Sequence, residues 1–231
     1  MPITPDQIVY WRWHSAHLDA TIVFTWLVII LLTTASWLLK RHLQSTALPA
    51  SRWETGLEVI VEFMRDQIRQ ICPVKGDSYL PFVGTLFLFI AVSNFLEIIP
   101  GWHTPTGSLS TTSALAICVA VAVPVFGIRR QGVVEYLRGY VSPSFLMLPF
   151  HVLSELSRNL ALAVRLFGNI MSGSLIVGIL LVIAPLFVPM IMQILGLLIG
   201  TIQAYIFAVL AMVYIAAAVQ SHRDQERSTH G

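Results

Sequence analysis

The chain has 231 residues, 56% of them hydrophobic and only 11% charged, with a mean hydropathy of +0.75. Soluble domains carry roughly 25% charged residues, so this composition excludes a soluble globular protein and indicates a polytopic membrane protein. A net charge of +2 argues against nucleic-acid binding, and the two cysteines, Cys72 and Cys118, stand in no spacing that suggests a disulfide framework or a metal centre.

The first 19 residues include Asp6, Arg12, His14, His17 and Asp19. The apolar stretch after them is long enough to span a membrane and ends in Lys40 and Arg41. A cleavable secretory signal has a basic start and a shorter apolar run, so the first span is expected to stay in the protein. With about 20 apolar residues needed per crossing, five spans are expected, at 20–39, 80–99, 112–128, 145–183 and 189–219. The expected fold is an all-α integral membrane protein that forms a single polytopic domain over 1–231. Pro185 and Pro189 mark a turn between the last two spans, because proline inside a helix removes a hydrogen bond and clashes with the preceding turn.

Basic residues set the orientation. Lys40, Arg41, Arg52, Arg65, Arg69 and Lys75 lie between the first two spans, Arg129, Arg130 and Arg138 between the third and fourth, and Arg223 and Arg227 after the fifth. The loops at 100–111 and 184–190 contain no Lys or Arg. The positive-inside rule then places the N-terminus outside and the C-terminus in the cytoplasm.

Residues 51–72 form a different kind of helix. Trp53, Leu57, Ile60, Met64, Ile68 and Ile71 recur at spacings of three and four, and Glu54, Glu58, Glu62, Arg65, Asp66 and Arg69 fill the other face. This amphipathic helix either lies on the cytoplasmic membrane surface or offers a docking face to a partner. The fourth span, at about 38 residues and a rise of 1.5 Å each, would be roughly 57 Å long, nearly twice the ~30 Å hydrocarbon core. Two over-long helices joined by a short turn must tilt strongly, curve or protrude.

That fourth span carries the most informative residues. Glu155, Arg158, Asn159, Leu162, Arg165, Asn169 and Ser172 follow one another by three or four residues, a polar stripe interrupted only by Leu162. Glu155 and Arg158 are placed to form a structural ion pair. Arg165 is flanked by Ala161, Leu162, Ala163 and Val164 on one side and by Leu166, Phe167 and Gly168 on the other. A guanidinium stays protonated at physiological pH, and a charge at this depth costs several kcal/mol or more. It has no acidic residue within a turn on its own helix, so it wants an anion from elsewhere. On the last span Gln203 lies deep in the apolar run, while Gly196 and Gly200, four apart, permit close helix packing. Near the outer end of the second span Asn94 and Glu97 share a face, with His103 just beyond. There is no P-loop pattern, and no cofactor or metal is expected.

These segments resemble a known family. SRNLALAVRLFGNIMSG is similar to the signature helix of subunit a of F-type ATP synthases, TLFLFIAVSNFLEIIPG to that family's second span, and GTIQAYIFAVLAMVYIAAA to its last helix. The similarity covers about 50–220. It implies a non-catalytic, ion-translocating stator subunit of a rotary ATP synthase or ATPase in a bacterial inner membrane. Its partners would be a ring of c subunits bearing membrane-embedded carboxylates, b-type stator subunits and lipid.

By the resemblance, Arg165 is the essential arginine that meets the ring carboxylates, and Gln203, Asn94 and Glu97 match further positions of the family. Asn94, Glu97, Ser174 and Gln203 would line the outer of two offset half-channels, with His103 near its mouth, Asn169 one turn from Arg165, and Glu155 toward the cytoplasmic half-channel. The chain departs from the family at Ser174, nine positions after Arg165, and at Gly196, seven before Gln203, where many members carry ionisable residues. The usual proton-relay pair is therefore missing, so either Glu97 and water carry protons or the coupling ion is sodium. A stand-alone channel or transporter is the alternative of a different class; it often shows an inverted repeat, and none is found here.

Overall fold

A computed structural model of the chain describes residues 9–13, 16–45, 52–72, 76–99, 102, 104–134, 136, 148–183 and 188–220. Among them are six α-helices: α1 (Ala20–Ser45), α2 (Arg52–Ile71), α3 (Leu80–Leu96), α4 (Leu109–Gln131), α5 (Leu148–Ile183) and α6 (Val188–Gln220). Two strands precede them, β1 (Val9–Trp13) and β2 (Ala16–Asp19), paired antiparallel with Val9 opposite Asp19 and Trp13 opposite Ala16. This hairpin is absent from the all-α expectation. Its first strand, VYWRW, is rich in the aromatic and β-branched residues that suit a pleated surface.

Helices α1, α4, α5 and α6 are long and apolar enough to cross a membrane, and α3 is apolar but only 17 residues long. At 1.5 Å per residue α3 rises about 26 Å, slightly short of a hydrocarbon core. The expected second span ends early because Glu97 caps α3 and residues 97–99 continue as tight turns. Residues 184–187, with Pro185, and 145–147 lie outside the described residues. Pro189 falls in the first turn of α6, where a missing N–H breaks no intrahelical bond.

Helix α6 is the centre of the bundle, touching α2, α3, α4 and α5. Its inward face carries Ala204, Phe207, Ala208, Ala211, Met212 and Ile215, all fully buried. The alanines admit neighbouring backbones closely while Phe207, Met212 and Ile215 fill the remaining volume. Facing them are Val83 and Ile90 of α3, Val119 of α4, and Leu162 and Leu166 of α5. Gln131 Nε2 donates to the carbonyls of Ala218 and Val219 at 3.2 and 2.9 Å, satisfying acceptors left open at the end of α6.

The amphipathic α2 turns part of its apolar row toward the chain's own core. Met64, Ile68 and Cys72 are buried, while Glu58, Glu62 and Asp66 are exposed. The side chains of Trp53, Glu54 and Leu57 lie outside the described residues. Tyr205 Oη of α6 donates to Gln67 Oε1 at 2.7 Å, and its ring lies 5.8 Å from that of Phe63. Arg69 Nη2 and Arg65 Nε lie 3.1 and 3.6 Å from the Asp77 carboxylate, tying the turn that follows α2 back onto it.

Residues 104–108 fold inward. Their single turn of 3₁₀ helix, Pro105–Gly107, is buried with Thr104, Thr106 and Ser108 and reaches α1, α3, α4 and α5. Ser108 then caps α4 by accepting from the Ser110 N–H.

At the other end of α4 the ring of Tyr136 lies over Gly127, where a Cβ would stand 2.5 Å from Cε2. Gly127→Ala is therefore expected to displace Tyr136 and destabilise the bundle by about 1–3 kcal/mol, the usual range for overpacking. Thermal unfolding in detergent should show a lowered midpoint, and adding Tyr136→Ala should recover part of it.

Candidate functional site

Helix α5 shows the bundle one face and its surroundings another. Leu162, Ala163, Leu166 and Ile170 are buried against the neighbouring helices. Arg158, Ala161, Arg165, Gly168, Ser172 and Ile176 recur at spacings of three and four along the exposed face. Arg165 is thus on the outward side. Among the described residues it makes no ion pair or hydrogen bond. A Cβ built at Gly168 meets nothing within 4 Å, so the surface beside the guanidinium is open relief. Small residues one turn either side let another backbone come close.

The polar stripe of α5 is therefore divided. Leu162 belongs to the core, Arg165 looks outward, and Asn169 is half-buried at the wall of a cavity. Arg158 lies with its guanidinium carbon 5.2 Å from the centroid of the Tyr214 ring on α6, a cation–π contact where the sequence suggests Glu155 as partner. Glu155 is half-buried, and its carbonyl accepts from Asn159 Nδ2 at 3.0 Å.

The cavity, of about 470 Å³, opens between the end of α3, the second half of α5 and the first half of α6. It gathers Asn94, Glu97, Asn169, Ser174, Gln193 and Gly196. Glu97 is the single ionisable side chain among its lining residues. The Ser172 and Ser174 hydroxyls donate to the carbonyls of Asn169 and Met171, both at 3.0 Å, so they are already partnered by their own helix. The room at Gly196 is open, with nothing within 4 Å of the place a Cβ would occupy, which suits its position on the cavity wall rather than in a helix contact.

Asn94 sits between cavity and core. It is 2% exposed, donates from Nδ2 to the Gly200 carbonyl at 2.8 Å, and accepts at Oδ1 from Thr106 Oγ1 at 3.4 Å. Gly200 is the glycine that close packing requires, since a Cβ there would stand 2.9 Å from Asn94 Nδ2. Three residues along, Gln203 is 7% exposed and its Nε2 has no partner among the described residues. A buried amide left without a partner is unfavourable by about 1–3 kcal/mol, which marks Gln203 as a residue held for something other than stability. Gln203 does not line the cavity. His103 lies outside the described residues.

Two contributors escape sequence reasoning. Thr106 lies in a run of small polar residues that reads as a solvated loop, and only its burial beside Asn94 reveals its part. Gln193 donates from Nε2 to the Glu97 carbonyl at 3.1 Å; its one sequence signal is an amide in an otherwise apolar stretch.

Comparison with known proteins adds a second line of observation. The family described as ATP synthase A chain matches residues 22–216. The chain is 54% identical to "ATP synthase subunit a 1" of Crocosphaera subtropica and 56% identical to "ATP synthase subunit a 2" of Acaryochloris marina, each alignment covering 100% of both chains. It is 52% identical to "ATP synthase subunit a" of Albidiferax ferrireducens, over 97% of both chains.

Gly200→Ala is expected to push Asn94 off the Gly200 carbonyl and leave the buried Asn94 amide unpaired, destabilising the α3–α6 contact by about 1–3 kcal/mol. Thermal unfolding should report the loss, and in an Asn94→Ala background, where Nδ2 and Cγ are gone and only the 3.3 Å approach of Cβ remains, Gly200→Ala should cost less.

Proposed function

Because the chain belongs to the ATP synthase A chain family, and is a non-catalytic membrane subunit of that complex, we propose that it carries the coupling ion to and from a turning ring of c subunits. The observation that carries this reading is Arg165, exposed on the outer face of α5 between Ala161 and Gly168, with no anion of its own chain beside it among the described residues. A neutral carboxyl group on a ring subunit tolerates lipid, whereas a carboxylate does not. As each carboxylate comes opposite Arg165, the guanidinium stabilises the charged form and releases the ion. The same fixed positive charge repels a cation crossing directly between the two half-channels.

The cavity between α3, α5 and α6 is read as the outer half-channel, with Glu97 attracting the ion and Asn94, Asn169 and Ser174 lining the way. Gln203 would take up its missing hydrogen bond with water or with an incoming carboxyl group. His103 would stand near the mouth of this route, and Glu155 toward the cytoplasmic half-channel. Helices α5 and α6, at 36 and 33 residues, would be about 54 and 50 Å long, so a ~30 Å core requires them to lie as a strongly tilted hairpin along the ring. The arginines and lysines near the α1–α2 and α4 C-terminal loops favour an N-terminus outside and a C-terminus in the cytoplasm of a bacterial inner membrane. The b-type stator subunits would hold the chain still against the ring.

The coupling ion is assigned as the proton. Ser174 and Gly196, standing where many relatives carry ionisable groups, favour sodium as the second reading. Pumping by the assembled complex that requires sodium and survives a protonophore would decide for sodium.

Two substitutions test the site. Arg165→Lys keeps the charge but loses the planar fork, and should lower ATP-driven pumping by about tenfold or more, the loss expected for one charge-assisted pair. Full pumping in that variant would overturn the reading. Gln203→Leu removes an amide whose Nε2 has no partner among the described residues, so thermal stability should hold or rise while pumping falls by about fivefold or more. Equal loss of both would make Gln203 a structural residue.

A further inference from the structure

We propose that Gln193 is a positioning residue for ion entry: it pins the turn after α3 onto α6 and so holds Glu97 at the wall of the cavity. The inference rests on reading that cavity as the outer half-channel.

The end of α3 is fastened to α6 at two points. Asn94 Nδ2 donates to the Gly200 carbonyl at 2.8 Å, and Gln193 Nε2 donates to the Glu97 carbonyl at 3.1 Å. Residues 193 and 200 are seven apart, two helical turns, and therefore lie on the same side of α6. Asn94 and Glu97 are three apart on the partner segment. Each bond runs from a side-chain amide to a backbone carbonyl, one from α3 to α6 and the other from α6 back to the end of α3, and they differ in kind. The Asn94 bond is buried and braced further by Thr106, so it fixes the helix axes. The Gln193 bond is exposed and falls at the point where α3 gives way to tight turns.

The carbonyl of Glu97, the residue that caps α3, lies just past its last turn, where acceptors lack intrahelical donors. Gln193 satisfies it from across the cavity mouth. Without that donor the turn at 97–99 loses this tie to α6, and Glu97 follows the turn. Gln193 has no need to touch the ion. Its effect is on where the single ionisable side chain of the cavity stands.

The test uses the whole complex reconstituted in liposomes, with ATP synthesis driven at fixed membrane potential and the coupling-ion concentration varied on the side facing the cavity. Gln193→Leu should raise the half-saturating ion concentration by about fivefold, the factor set by one neutral hydrogen bond, and leave the rate at saturation within about twofold. Gln193→Asn, polar but one methylene too short, should behave like Gln193→Leu and decides the matter if the leucine variant does not assemble.

An unchanged half-saturation, or a lower maximal rate at unchanged half-saturation, overturns the proposal. The two readings fail separately. If Arg165→Lys pumps fully, the half-channel assignment itself falls. If Arg165→Lys is impaired while the Gln193 variants keep their affinity, only the positioning role falls.

Discussion

An arginine cannot shed its charge to enter an apolar region, and the arrangement around Arg165 follows from that constraint. The side of α5 behind it is closed, because Leu162, Ala163 and Leu166 are buried in the bundle and offer it no counter-charge. The side in front is open and smooth, with Ala161 and Gly168 as its neighbours. Among the described residues the guanidinium is satisfied neither by an internal carboxylate nor by retreat into the interior. The charge is left for whatever lies against α5.

The wall that makes this possible is α6. Its alanines at 204, 208 and 211 bring α3, α4 and α5 close, and Gly200 brings Asn94 closer still. Toward its N-terminal end the same helix stops packing and lines the cavity with Gln193 and Gly196. Gln203 falls near this change, already buried but not yet satisfied. One helix therefore passes from cavity wall to packed core within about two turns, roughly 11 Å.

Much of this was legible in the sequence. Arg165 stands out because a permanent charge among Leu, Val and Phe is costly, and the three- and four-residue spacing puts Asn169 and Ser172 on its side of the helix. Asn94 and Glu97 could be put on one face of one helix. What could not be read was which polar group answers which. Arg158 has an acid three residues away in sequence, and the structure adds an aromatic ring, because Tyr214 arrives from another helix. Gly196 and Gly200 are alike in the chain, yet one lines empty space and the other carries a tight contact. Residues 104–108 have the composition of a solvated turn and are instead buried, since three-dimensional closure around Asn94 supplies partners that local pattern does not encode. The N-terminal strands were missed because a short aromatic run before a long apolar helix reads as part of its lead-in.

Helix α1 has little hold on the rest. Val28 and Thr21 are buried, but Trp26, Ile30, Trp37 and Leu38 are 56–62% exposed, and its neighbours are α3, β2 and the 3₁₀ turn near its start. Its backbone is nonetheless complete in its own hydrogen bonds, so oil alone is enough to keep it helical. The chain therefore separates insertion from association: α1 is a segment whose shape is decided by the solvent it enters, whereas α3 to α6 owe theirs to one another.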